Sequence, residues 1–96
     1  EPADRKHSWY LYTVRLRDAE AKVRDAVVDE LRNRSVGATV YYHTPIHLMP
    51  YYRRFGEQHL PETERAAQQV FSLPVHPGLT LEETDYIADS VKHVIQ

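Results

Sequence analysis

The 96-residue chain, 11.2 kDa, has room for one domain at most, because ordering its backbone requires most apolar side chains to share one core. Its 42% hydrophobic and 27% charged residues exclude disorder, collagen-like repeats and a coiled coil. The formal net charge of −2, from 12 basic and 14 acidic residues, argues against a bulk polyanion partner such as nucleic acid.

Glu1–Ser8 is a polar lead-in. From Trp9 the chain turns aromatic and β-branched, and Tyr10, Tyr12, Val14 and Leu16 alternate with polar neighbours, which predicts a strand over Trp9–Leu16. Asp18 is placed to cap the next element. Ala19, Val23, Val27 and Leu31, with Val28 beside them, form a stripe at spacing four that predicts a helix over Ala19–Arg34. Its opposite face carries Glu20, Lys22, Asp25, Asp29, Arg32 and Arg34 and reads as solvated. Gly37 is expected to end the helix or form the turn, before a short strand over Ala38–Tyr42.

His43–Leu60 has no clean period, carries Pro45 and Pro50, and is aromatic. It predicts a long structured loop with one helical turn around Leu48–Phe55. Pro61 suits the first turn of a helix over Pro61–Gln69, with Glu62 and Glu64 near its positive end. Val70–Val75 reads as a third strand, lying on an edge or ending at Pro74. Thr80 and Glu83 form a capping box for a terminal helix, Leu81–Ile95, whose apolar stripe is Ile87, Val91, Val94 and Ile95. The order β-α-β-loop-α-β-α predicts an α+β fold: a small three-stranded sheet covered mainly on one face by about three helices.

Chemistry-bearing patterns are sparse. No cysteine is present, so there is no disulfide framework, thiolate nucleophile or cysteine zinc site. No apolar run approaches the ~18 residues that cross a bilayer, and no signal-peptide core opens the chain, so the expected location is cytoplasmic, away from membranes. His43 and His47 stand four apart, but Pro45 between them argues against the helix that would pair them on a metal. No serine sits in a nucleophile elbow and no glycine cluster cradles a phosphate. Tyr51–Phe55 combines aromatics with Arg53 and Arg54 in the manner of a nucleic-acid stacking patch. Without a wider basic surface, the simpler reading is that these rings pack the loop onto the domain. The lysines, Lys6, Lys22 and Lys92, lie in the tail or on amphipathic helices, where no tuned pocket for imine chemistry is expected.

Tyr41-Tyr42-His43-Thr44-Pro45-Ile46-His47-Leu48 resembles the "(H/Y)YPxPLHLQ" segment of the DegT/DnrJ/StrS family of pyridoxal-phosphate-dependent sugar aminotransferases. Ser72-Leu73-Pro74-Val75-His76-Pro77-Gly78-Leu79-Thr80 is similar to the family's "SLPMxPxLT", the opening Trp9–Leu16 to its "YHLYVVRV", and Arg24-Asp25 to its "RD". These strings run in register from about His7 to Ile95.

The resemblance implies that residues 9–96 form the C-terminal small domain of such an enzyme, with the large cofactor-binding domain absent. The lack of an initiator methionine fits that expectation. The parent is then expected to be a homodimeric aminotransferase of the aspartate-aminotransferase fold. It would move an amino group from glutamate or glutamine to a ketosugar nucleotide in amino-sugar biosynthesis. Pyridoxal phosphate would be held by the parent and not by this chain alone, which is expected to be inactive. The same resemblance puts Tyr42 and His47 nearest the substrate, with Tyr41 and His43 as second choices. His43 stands where the family has proline, and Met49 where it has glutamine. Glu64, at the family's "AE", is expected to brace its helix. Arg15 is expected to be a surface arginine, although small-domain arginines of related aminotransferases can clamp a substrate carboxylate. The alternative function is a stand-alone binding or regulatory module without catalysis.

Overall fold

The computed structural model describes all residues, 1–96. Its elements are β1 (Tyr12–Arg15), α1 (Ala21–Asn33), a 3-10 turn (Ile46–Leu48), α2 (Pro50–Arg53), α3 (Pro61–Gln69), β2 (Val70–Leu73) and α4 (Leu81–Ile95). No helix is long and apolar enough to cross a membrane.

The sheet is smaller than the sequence predicts. β1 pairs antiparallel with β2, Tyr12 opposite Leu73 through Arg15 opposite Val70, and the first strand covers only half of Trp9–Leu16. The expected strand at Ala38–Tyr42 is reduced to one bridge, in which Thr39 and Ser72 exchange N–H···O bonds of 3.0 and 2.7 Å. The residues around it still alternate as a strand does, since Val36, Ala38 and Val40 are buried. Pro74, with no N–H to give, would face Gly37 in the next hydrogen-bonded pair and stops the ladder on that side; on the other side the Val70 carbonyl, which would face Tyr41, accepts from Arg24 Nη1 at 3.0 Å instead. β2 therefore ends at Leu73, as Pro74 suggests, but lies between β1 and the bridged segment and not on an edge.

The core consists of Val28, Leu31, Val36, Ala38, Val40 and Phe71, flanked by Val14, Leu16, Val27, Leu73, Ile87, Val91 and Val94. α1 meets this core on a face rotated from the predicted stripe. Arg24, Val28 and Leu31 are its buried residues, whereas Val23 is 47% exposed. A buried arginine occupies one turn of the inward face, and that is what displaces the apolar count. Arg24 Nη1 donates to the carbonyls of Ala67 at 2.6 Å and Val70 at 3.0 Å, and Nε donates to Asp25 at 2.6 Å. It thereby joins α1 to the junction of α3 and β2. Arg32 is likewise not merely solvated, since its Nε donates to the Ala38 carbonyl at 2.8 Å.

The end of α1 also differs from expectation. Ser35, with φ of 66°, takes the left-handed position assigned above to glycine. Its N–H donates to Arg32 and that of Val36 to Leu31, both at 2.9 Å, which is the double bond of a Schellman cap. Leu31 and Val36 supply the accompanying apolar contact inside the core. At the other end Glu20, not Asp18, is the cap residue, and Asp18 sits in a left-handed turn with φ of 59°.

α3 and α4 keep their predicted bounds. Thr80 caps α4 by accepting from the Glu83 N–H at 3.1 Å. Ile87, Val91 and Val94 face the core, but Ile95 is 47% exposed. The Tyr86 hydroxyl donates to the Arg34 carbonyl at 2.7 Å, fastening α4 to the cap of α1.

Two stability changes follow. Arg24→Ala strands the carbonyls of Ala67 and Val70 and empties a buried site, so urea denaturation should show a loss of about 2–4 kcal/mol. Arg24→Lys should recover only part of this, because one ammonium cannot reproduce the guanidinium fork. Ser35→Gly relieves the left-handed strain at an exposed position and should raise the urea midpoint, a gain of about 0.5–1 kcal/mol.

Candidate functional site

The segment after Tyr42 is a loop, as the sequence predicts, with α2 as the one helical turn expected within Leu48–Phe55 and a 3-10 turn at Ile46–Leu48 that was not expected. Pro45 and Pro50 each precede or open a turn, where their fixed φ costs nothing. Met49 anchors α2, its carbonyl accepting from Tyr52 at 3.0 Å and Arg53 at 3.2 Å. Gly56, with φ of 112°, then reverses the chain toward α3.

This arm and α3 enclose a cleft of about 560 Å³. Tyr41 and Tyr42 contribute to its lining. His47, Tyr52, Phe55 and Gly56 come from the arm, and Leu60, Thr63, Ala66 and Ala67 from the start and face of α3. The lining includes no lysine, arginine, aspartate or glutamate. Its polar groups are hydroxyls, amides and one imidazole, a set suited to a neutral polyhydroxy ligand more than to an anion.

Three of the four predicted site residues meet here. Tyr41 and Tyr42, 46% and 68% exposed, contact each other edge to face with ring centroids 5.5 Å apart. His47 is the opposite case, with a side chain only 8% exposed and Nε2 3.5 Å from a Glu64 carboxylate oxygen. Glu64 braces its helix as expected, its Oε2 accepting from the Leu60 N–H at 2.9 Å. His43 is not in the cleft. It turns toward α1, where its Nδ1 lies 4.0 Å from the Asp25 carboxylate that already receives Arg24. His43 and His47 thus serve different sides of the loop, and no group of three potential metal-ligating side chains gathers anywhere in the structure.

Other expectations shift. Arg15 is exposed, but its Nε is spoken for by Gln69 Oε1 at 2.7 Å. Tyr51, Tyr52 and Phe55 do not pack the loop onto the domain. They are 45–67% exposed and lean on one another, with Arg54 5.1 Å over the Tyr51 ring and 5.3 Å over the Phe55 ring. The pairing of His47 with Glu64 was not anticipated. Its signal was present in the residues: a histidine in the loop, and a glutamate one turn into a proline-opened helix.

Pyridoxal phosphate requires a lysine in a desolvated pocket and donors for its phosphate. Lys6, Lys22 and Lys92 are all exposed, and none borders the cleft. The residues of this chain do not fit that cofactor by themselves.

Residues 1–92 match the family model of the DegT/DnrJ/EryC1/StrS aminotransferase family. The chain belongs to that family. It is 35% identical over 89 residues to the pleiotropic regulatory protein of Geobacillus stearothermophilus, covering 91% of this chain and 23% of that protein. Among solved structures it is similar to the aminotransferase TlmJ from Streptoalloteichus hindustanus, with a TM-score of 0.82, 36% identity, and coverage of 98% of this chain and 24% of that one. It is also similar to Helicobacter pylori PseC, an aminotransferase involved in the biosynthesis of pseudoaminic acid. There the TM-score is 0.79 and the identity 28%, covering 88% of this chain and 23% of that one. NtdA from Bacillus subtilis, solved with the bound cofactor PMP, has a TM-score of 0.77 and 31% identity, covering 93% of this chain and 21% of that one. The chain spans about a quarter of the length of the relatives it matches.

Gly56 tests the construction of the cleft. Nothing lies within 4 Å of a Cβ added there, so Gly56→Ala is penalised by its backbone alone. A cost of about 1–2 kcal/mol is expected, read as faster amide exchange across residues 46–58 while the core amides keep their protection.

Proposed function

We propose that this chain is the C-terminal small domain of a pyridoxal-phosphate-dependent aminotransferase acting on a ketosugar nucleotide. Its part in the reaction is to supply one wall of the substrate site and to help close it. The observation that carries this reading is the uncharged cleft in which Tyr41, Tyr42 and His47 converge. Family membership and the aminotransferases among the structural relatives give the reaction class. Tyrosine hydroxyls and an imidazole can hydrogen-bond sugar hydroxyls, and the flanking aromatic faces can cover the ring.

The cofactor, when bound, supplies the exchange of carbonyl for amine, and its lysine and phosphate donors belong to the large domain of the longer protein. Glutamate or glutamine is the donor, and the working unit is a homodimer in the cytoplasm. His43, facing Asp25 outside the cleft, drops from the substrate contacts. The surface of the chain supports its being one part of a larger body. Trp9, Tyr10, Tyr12, Tyr86 and Leu81 are each 47–84% exposed, and the radius of gyration of 15.6 Å exceeds the ~12–13 Å of a compact domain this size.

The test is His47→Ala in the full-length protein carrying this chain. The expected result is a fall in kcat/KM for the ketosugar nucleotide of about 10–100-fold, the size of one lost buried hydrogen bond, with cofactor occupancy by absorbance unchanged. Equal loss of cofactor and of turnover would make His47 a folding residue and remove the substrate-wall reading.

A further inference from the structure

His47 Nε2 is the one buried side-chain polar atom in the structure without a hydrogen-bond partner. An atom so placed is costly to leave unsatisfied. Glu64 Oε2 lies 3.5 Å away, just beyond a good hydrogen bond. That oxygen is itself held, since it accepts at 2.9 Å from the N–H of Leu60, the N-cap residue of α3. A carboxylate oxygen has room for a second donor.

Of the two neutral tautomers of the ring, these contacts favour one. If the ring proton sat on Nδ1, the bare lone pair of Nε2 would be sealed in an apolar setting against a carboxylate oxygen. If it sits on Nε2, the same contact is an N–H facing an acceptor, and a small closing movement completes the bond. Nδ1, which diverges from Nε2 across the ring, is then the nitrogen left to serve the cleft that His47 lines.

We propose that Glu64 is a positioning residue, fixing His47 in the tautomer with the proton on Nε2 and thereby presenting Nδ1 to the cleft as a hydrogen-bond acceptor. This deepens the function proposed above and rests on it for one consequence only. An acceptor nitrogen in a cleft lined by no lysine or arginine is matched to a ligand hydroxyl and not to phosphate oxygens. His47 would therefore face the sugar, with the pyrophosphate bound elsewhere.

The experiment needs no substrate, so its outcome is independent of whether the sugar reading holds. In protein labelled with 15N-histidine, at mildly alkaline pH, ring 15N shifts assign the tautomer of His47. Exchange of the ring proton with water reports whether it is held. Free histidine leans mildly toward the same tautomer, which makes slow exchange the deciding readout. The expected result is a proton on Nε2, in excess over the other tautomer by about tenfold or more, exchanging slowly. Glu64→Gln keeps an acceptor carbonyl and should preserve the tautomer and much of the protection. Glu64→Ala should abolish the slow exchange while dispersed core resonances persist. A proton on Nδ1 in the unmodified protein overturns the proposal without any variant. So does an Nε2 proton whose exchange is the same in Glu64→Ala.

Discussion

The guanidinium of Arg24 is the contact on which the arrangement of this domain turns. It is 1% exposed, and it spends its donors on the backbone where α3 gives way to β2 and on the neighbouring Asp25. A helix ending in the interior leaves carbonyls without partners, and a buried carbonyl without a donor is expensive. Arg24 satisfies two of them from the side of α1. The position of α1 over the sheet, the entry of β2 and the axis of α3 are thereby set by one side chain. Because α3 forms a wall of the cleft and carries Glu64, the geometry around His47 inherits its orientation from the same group.

Much of this was legible in the residues, and the exceptions have specific causes. α3 and α4 announce themselves through Pro61 at a first turn and through Thr80 and Glu83 at a cap, signals that depend only on neighbours in sequence. The inward face of α1 is displaced because periodicity counts apolar residues and cannot see a buried, fully bonded arginine. The helix stop is displaced because Ser35 adopts a conformation that glycine takes more readily, and the strain is borne by the Schellman bonds and the Leu31–Val36 contact. The third strand is curtailed on both sides of its one pair, by Pro74 opposite Gly37 and by Arg24 taking the Val70 carbonyl opposite Tyr41, and seeing either effect requires knowing the register.

The site divides along the same line. Tyr41, Tyr42 and His47 lie in a recognisable string, and the fold brings all three to one cleft. His43 belongs to that string but turns to the other side of the loop, toward Asp25. Sequence adjacency gave it the same standing as its neighbours, and only the direction of the side chain separates them. Glu64 was readable as a helix brace; its second role depends on a loop folding back by seventeen residues, which no local pattern reports.

The bridge between Thr39 and Ser72 has a mechanical meaning. A ladder of several pairs would carry the stiffness of the sheet as far as Tyr41. Instead one reciprocal pair holds the segment, and Pro74 prevents another from forming on the Gly37 side. Backbone hydrogen bonds therefore hold the segment leading to the two tyrosines at one point, and the burial of Val36, Ala38 and Val40 holds the rest. Tyr41 and Tyr42 follow the last buried residue of that segment and are themselves exposed, whereas the His47 side chain is buried. The cleft thus joins an exposed pair of rings to a buried imidazole.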